Sequence, residues 1–243
     1  MRRAAVVIAV TAAALAATAA ALSRPTVTPP LDCASDRWDV KTLAKTDPFL
    51  AKVVAKPRRT TVAALQQRDR PAWDPSTGHS WSPRTPRQWQ FLSPAEAARG
   101  LPPVETTEWK LTKVRLVEAK VEADLDIHLI VADTRRPFTE MTVEFPSTNC
   151  AGAFDSPYAA SMARARDHLS AACGPFAGSG YTPLRGLATI RGVGFFDRPH
   201  GQKGDVQLDV DADPTKRAAK RLTIELHPAL GFTGPTRAAC RSR

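Results

Sequence analysis

The chain is poor in aromatics, which make up 7% of its 243 residues, with two tyrosines and five tryptophans. A broad stacking platform for bases or sugars is therefore thin. No G-x-S-x-G elbow is present, since Gly178-Ser179-Gly180 has the wrong spacing. The glycine-rich phosphate loop and the H-E-x-x-H helix are also missing, as is any C-x-x-C pair. These absences exclude serine hydrolases of the α/β type, P-loop nucleotidases, zincins and cysteine-based zinc ribbons. Outside the N-terminus no uncharged run is long enough to span a bilayer, so a multi-span membrane protein is excluded too. Charge is present and unbalanced, with 34 Lys+Arg against 24 Asp+Glu, a formal net charge of +10.

The N-terminus has the layout of an export signal. Arg2 and Arg3 precede an uncharged, alanine-rich stretch from Ala4 to Leu22, and Ala19, Ala21 and Ser23 offer small residues for cleavage. Residues 1–23 are expected to be a signal peptide, with a retained N-terminal membrane anchor as the alternative. Either way the remainder is secreted or periplasmic. Losing Arg2 and Arg3 leaves a mature charge of +8, which favours anionic partners such as nucleic acid, lipid head groups or acidic envelope polymers. In an oxidising compartment the four cysteines Cys33, Cys150, Cys173 and Cys240 are expected to form disulfides. Three connectivities exist. Nesting favours Cys150–Cys173 across one predicted helix and Cys33–Cys240 between the chain ends.

Residues 24–103 read as a proline-rich strap. Prolines recur from Pro57 to Pro103 and break long helices and central strands. Short helices fit at Thr60–Gln67 and at Ser93–Arg99, where Ser93-Pro94-Ala95-Glu96 supplies an N-cap, a first-turn proline and an acid at the third position. Trp73, Trp81 and Trp89 are expected to anchor the strap to the domain surface.

The composition changes at Val104. Trp109–Glu118 alternates as a half-buried strand, followed by strands at Ile127–Val131 and Glu140–Phe145. A helix begins near Ser156-Pro157, buries Ala160, Ala163, Leu169 and Ala171, and ends at Gly174-Pro175. Two more strands cover Arg185–Phe196 and Leu222–Leu230. Three strands, a helix and two strands is the order of an OB-fold-like five-stranded small barrel, mainly β, with its one helix between strands three and four. Gly186, Gly192 and Gly194 suit the bends of such a barrel. The domain is expected to span 104–232, with a C-terminal tail at 233–243.

The strings Asp124-Leu125-Asp126-Ile127-His128-Leu129, Glu144-Phe145-Pro146 with Cys150, and Gly192-Val193-Gly194-Phe195-Phe196-Asp197 can be set beside His200-Gly201-Gln202, Glu225-Leu226-His227-Pro228 and Arg37–Leu43. Together they resemble a family of exported bacterial proteins of uncharacterised function, over most of residues 35–232. A longer, charged link between His200-Gly201-Gln202 and Glu225 departs from that pattern. The resemblance implies one exported domain and no particular activity.

Two dipeptides with a spacer carry most of the chemistry. In a strand, residues i and i+2 share a face, so Asp126-x-His128 and Glu225-x-His227 each project an acid and an imidazole together. With His200 from a loop, the set Asp126, His128, His200, Glu225 and His227 suits a divalent metal, zinc or manganese. The same groups could equally serve metal-assisted hydrolysis, for instance of phosphodiesters. In the barrel order the two faces lie on either side of the third strand. A second candidate surface is basic: Lys110, Lys113, Arg115, Arg135 and Arg136 could bind a polyanion, with Trp109, Leu111 and Lys113 on one face. Asp209-x-Asp211-x-Asp213 lacks the glycine and the final glutamate of a calcium loop. His79 and His168 read as surface residues. The primary expectation is an exported OB-like module that binds an envelope component, a polyanion or a protein, with the hydrolase as the alternative.

Overall fold

A computed structural model describes residues 31, 33, 38–44, 56–69, 91–176, 180–197 and 223–241. The export segment, Trp73, Trp81, Trp89, His79, His200 and the acidic run near Asp209 lie outside these residues.

In chain order the described elements are α1 (Trp38–Lys41), β1 (Arg58–Thr60), α2 (Val62–Gln66), α3 (Pro94–Ala98), β2 (Glu108–Val121), β3 (Ile127–Ala132) and β4 (Glu140–Phe145). They continue with α4 (Ala159–Cys173), β5 (Thr182–Pro183), β6 (Leu187–Asp197), β7 (Thr223–Thr233) and α5 (Arg237–Cys240). Strands pair in the order β2-β3-β4-β7-β6, and β6 returns to β2, closing a five-stranded barrel. All its pairs are antiparallel except β4–β7. This is the OB-like order expected from the sequence, with α4 between the third and fourth barrel strands.

Closing so small a sheet requires sharp local bends. Two come from β6, where the register slips around Gly192 and again before Gly194. A Cβ on Gly192 would lie 2.7 Å from the Pro228 carbonyl oxygen, and one on Gly194 would lie 2.5 Å from a Val104 methyl. Only glycine lets these backbones approach. On β2 the register shifts between Leu111 and Val114, and Lys113 takes a positive φ of 56°. That bulge corrects the expected face: Trp109 and Leu111 point into the core, whereas Lys113 is turned out to solvent.

The short helices are capped as their sequences specify. Thr61 Oγ1 accepts from the Ala64 amide, and Ser93 Oγ accepts from the Glu96 amide. Glu96 then pairs with Arg68 in a buried ion pair. For α4 the expectation fails in two respects. The helix starts at Ala159, and Ser156 Oγ instead donates to the Leu43 carbonyl and accepts from the Tyr158 amide. Its buried face is Met162, Ala165, Leu169 and Cys173 rather than the alanine set.

The proline-rich region is also more integral than proline density implies. Arg58–Thr60 adds a parallel strand to β2, and Trp38, Val40, Leu43, Val62 and Leu65 join the barrel's core cluster. Prolines flank these short pieces without entering them, so each can still pair or pack.

The disulfides are Cys33–Cys150 and Cys173–Cys240, which corrects the nested pairing. Cys173 closes a 15-residue helix, roughly 22 Å long at 1.5 Å per residue, and Cys150 precedes that helix. A bridge needs Cα atoms within about 7 Å. Cys150 instead meets Cys33, beside a bridge between Leu31 and Cys150, and Cys173 meets Cys240 on α5. Two disulfides are the chemistry of an oxidising, extracytoplasmic compartment. Among the described residues no helix is long and apolar enough to cross a membrane.

Candidate functional site

Strand alternation splits β3, β4 and β7 into two faces. Leu129 opposite Val143, and Val143 opposite Leu226, build the apolar interior. The residues between them, His128, Glu144, Glu225 and His227, occupy the other face and are buried as well.

His128 lies directly opposite Glu144 in the β3–β4 ladder. Its Nδ1 is 2.8 Å from Glu144 Oε1 and 3.2 Å from Glu122 Oε1, and the latter residue sits just past the end of β2. Neither contact is a well-aligned hydrogen bond, and Glu144 Oε2 is buried without a partner. One donor atom from each of Glu122, His128 and Glu144 falls within 4.8 Å of the others. On the far side of the ring Nε2 is 3.3 Å from Thr142 Oγ1. Lys120 reaches Glu122 at 2.8 Å and lies over the Tyr181 ring, which meets His128 edge-on. The triad meets solvent at Glu122, its least buried member.

Charge settles strongly here. Burial pushes His128 toward the neutral imidazole, but the charge of Glu144 and the contacts from Glu122 and Glu144 outweigh it and raise the pKa to about 10. The His128 contact, helped by Lys120 and opposed by burial, holds the Glu122 carboxyl down at about 2.

The second cluster centres on His227. Nδ1 is 3.2 Å from Glu225 Oε1, and Nε2 is 3.4 Å from Asp126 Oδ2. Asp126 Oδ1 accepts from the Ser147 amide. Burial opposes protonation of His227, but Asp126 and Glu225 prevail and raise its pKa to about 9, with Lys41 working against them. The Glu225 carboxyl is pushed up by burial and by Asp197. Lys41, from α1, lies 3.9 Å from Asp197 and over the Phe195 ring.

A comparison with protein families, curated proteins and solved structures finds no match.

The residues singled out in sequence thus fall into two groups. Asp126, Glu225 and His227 converge, whereas His128 turns to Glu122 and Glu144; His200 lies outside the described residues. Asp126 does not serve its own neighbour His128 but the histidine two strands away. Glu122 and Glu144 were not among the candidates. The signal that finds Glu144 is the ladder register fixed by the Asp133–Thr139 turn, where Asp133 accepts from the Arg135 and Arg136 amides.

The basic candidates also divide. Arg115 donates to the Pro137 carbonyl and so joins the turn carrying Arg135 and Arg136. Lys110 lies between Arg59 of β1 and Arg191 of β6, and Lys113 stands alone on its bulge.

Proposed function

We propose that the chain is exported with its N-terminal segment removed, and that it works as an OB-like binding module whose Glu122–His128–Glu144 triad takes a divalent transition-metal ion. The observation that carries this reading is the convergence of one imidazole and two carboxylates within 4.8 Å, with a buried Glu144 oxygen left unpartnered. Burying polar atoms without partners costs free energy, and a cation would satisfy all three groups together. One nitrogen and two or more oxygens suit zinc or manganese. In the metal-free protein a proton on His128 takes the place of the cation, so metal and proton compete. The motif resemblance to exported bacterial proteins, the alanine-rich N-terminus and the two disulfides support export.

Metal-assisted hydrolysis is the weaker reading. The groups expected to act together are divided: Asp126 and Glu225 flank His227, whereas His128 faces Glu122 and Glu144.

Elemental analysis of protein purified without chelator, followed by zinc and manganese titration, tests the proposal. One ion per chain is expected, lost in His128→Ala and retained in His227→Ala. No bound metal and no thermal shift with either ion would leave His128 as a structural ion pair.

A further inference from the structure

A second site lies away from both histidine clusters, where β1 and α2 meet the end of α3. It is a cleft of about 430 Å³, within the usual size range of small-ligand sites. Among the described residues its walls include four arginines (Arg58, Arg59, Arg68 and Arg99) and no carboxylate. Arg68 is already neutralised: it pairs with buried Glu96, donates to the Pro102 carbonyl and lies over the Trp109 ring. Arg58, Arg59 and Arg99 differ. All three are exposed, and none of their side chains forms a hydrogen bond or ion pair with a described residue. The cleft therefore presents three uncompensated guanidinium groups over an apolar wall of Leu101 and Pro102.

We propose that this cleft binds a phosphate ester, with the phosphoryl group held by Arg58, Arg59 and Arg99 and the organic part resting on Leu101 and Pro102. Guanidinium groups carry their donors in a planar fork that matches phosphate oxygens and stay charged at every physiological pH. Three of them at one mouth, with no acid among the described lining residues, favour a dianion over a single carboxylate. The volume and the apolar wall favour an ester over the bare ion. Charge on an edge strand alone would serve to block strand addition. That role would require neither Arg99, which lies outside the sheet, nor the apolar wall.

The site shares no residue with the metal triad, so its test is independent. The mature, oxidised protein in metal-free buffer at fixed 50 mM salt is titrated calorimetrically with inorganic phosphate, phenyl phosphate and a single-stranded oligothymidylate. Phenyl phosphate is expected to bind saturably and at least tenfold more tightly than inorganic phosphate. Arg58→Ala combined with Arg99→Ala should weaken it tenfold or more, with partial recovery in Arg58→Lys. Arg135→Ala combined with Arg136→Ala removes the same charge elsewhere and should change it less than twofold. Oligothymidylate binding that depends on Arg58 and Arg99 would extend the ligand class to phosphodiesters. Equal losses in the two double variants would show a general charge effect and overturn the proposal. So would the absence of saturable binding by all three probes.

Discussion

The two faces of β3, β4 and β7 are built from the same strands and are equally hidden from water, yet they are chemically opposite. One carries Leu129, Val143 and Leu226; the other carries His128, Glu144, Glu225 and His227. The first face needs no explanation beyond the hydrophobic effect, since removing its apolar area from water stabilises the fold directly. The second has to offset the desolvation of several charges by pairing them, and breaking even is the usual result. A barrel needing only stability would put aliphatic residues on both faces. The polar face is therefore where a role other than stability should be sought, and the two faces should respond to substitution in different ways.

The largest effect is expected from breaking a pair on the polar face. Glu144→Ala leaves a buried imidazolium facing only Glu122, and about 3–5 kcal/mol of stability should be lost. Replacing both partners, His128→Leu with Glu144→Leu, should recover most of that loss while abolishing any metal uptake. Chemical denaturation of the two variants decides it. If the double variant is as unstable as the single one, the polar face is structural and the contrast between the faces fails.

On the apolar face no such rescue exists. Leu129→Ala opens a cavity in the barrel interior and should cost about 2–5 kcal/mol, with no change in metal stoichiometry. A loss below about 1 kcal/mol would mean that the barrel interior is loosely packed.

Only the polar face should make stability depend on pH. His128 and His227 have folded pKa values of about 10 and about 9, above the unfolded value of roughly 6.5. Their contribution is complete below that unfolded value and is lost as pH rises through 9 and 10. Glu122, at about 2 when folded, contributes fully above its unfolded value of roughly 4.3 and loses that contribution as pH falls toward 2. Melting temperature should therefore peak between about pH 5 and 6.5 and fall by about 5 °C or more by pH 9.5. All four cysteines are paired, so no described free thiol complicates the alkaline limb. A flat profile from pH 6 to 9.5 would show that the imidazoles are not charged in the folded state.

The contrast also explains what the sequence could and could not disclose. Barrel order was legible because each strand's alternation, the single long helix and the glycines of β6 are local signals. The caps of α2 and α3 were legible for the same reason. Cross-strand partners were not: that His128 meets Glu144, while Asp126 meets His227, depends on register and on the parallel β4–β7 pair. Short-range neighbours in the chain therefore suggested the wrong acid for His128. Disulfide pairing failed similarly, because the length of α4 separates cysteines that look close in sequence. The strap was misjudged because proline density marks where regular structure is interrupted, whereas Trp38, Val62 and Leu65 act between the interruptions.

The smallest effect, and the finest probe of the polar face, concerns Lys41. Among the described residues it is the one lysine that reaches that face from outside the barrel, 3.9 Å from Asp197 and stacked over Phe195. Its charge opposes protonation of His227, while Asp197, Glu225, Glu144 and Asp124 outweigh burial and raise its own pKa. Lys41→Met keeps most of the packing on Phe195 and deletes the charge. Two consequences follow with opposite signs. Stability should fall modestly, by about 1–2 kcal/mol, because Asp197 and Glu225 lose a cation. His227 should at the same time become harder to deprotonate, its titration midpoint moving upward from about 9 as followed by imidazole NMR. Glu122, His128 and Glu144 make no direct contact with Lys41, so zinc affinity should change less than twofold. A downward shift of His227 would mean that the apolar side chain desolvates the imidazole by more than the lost charge relieves it, and that Lys41 acts on this cluster through hydration rather than through its charge.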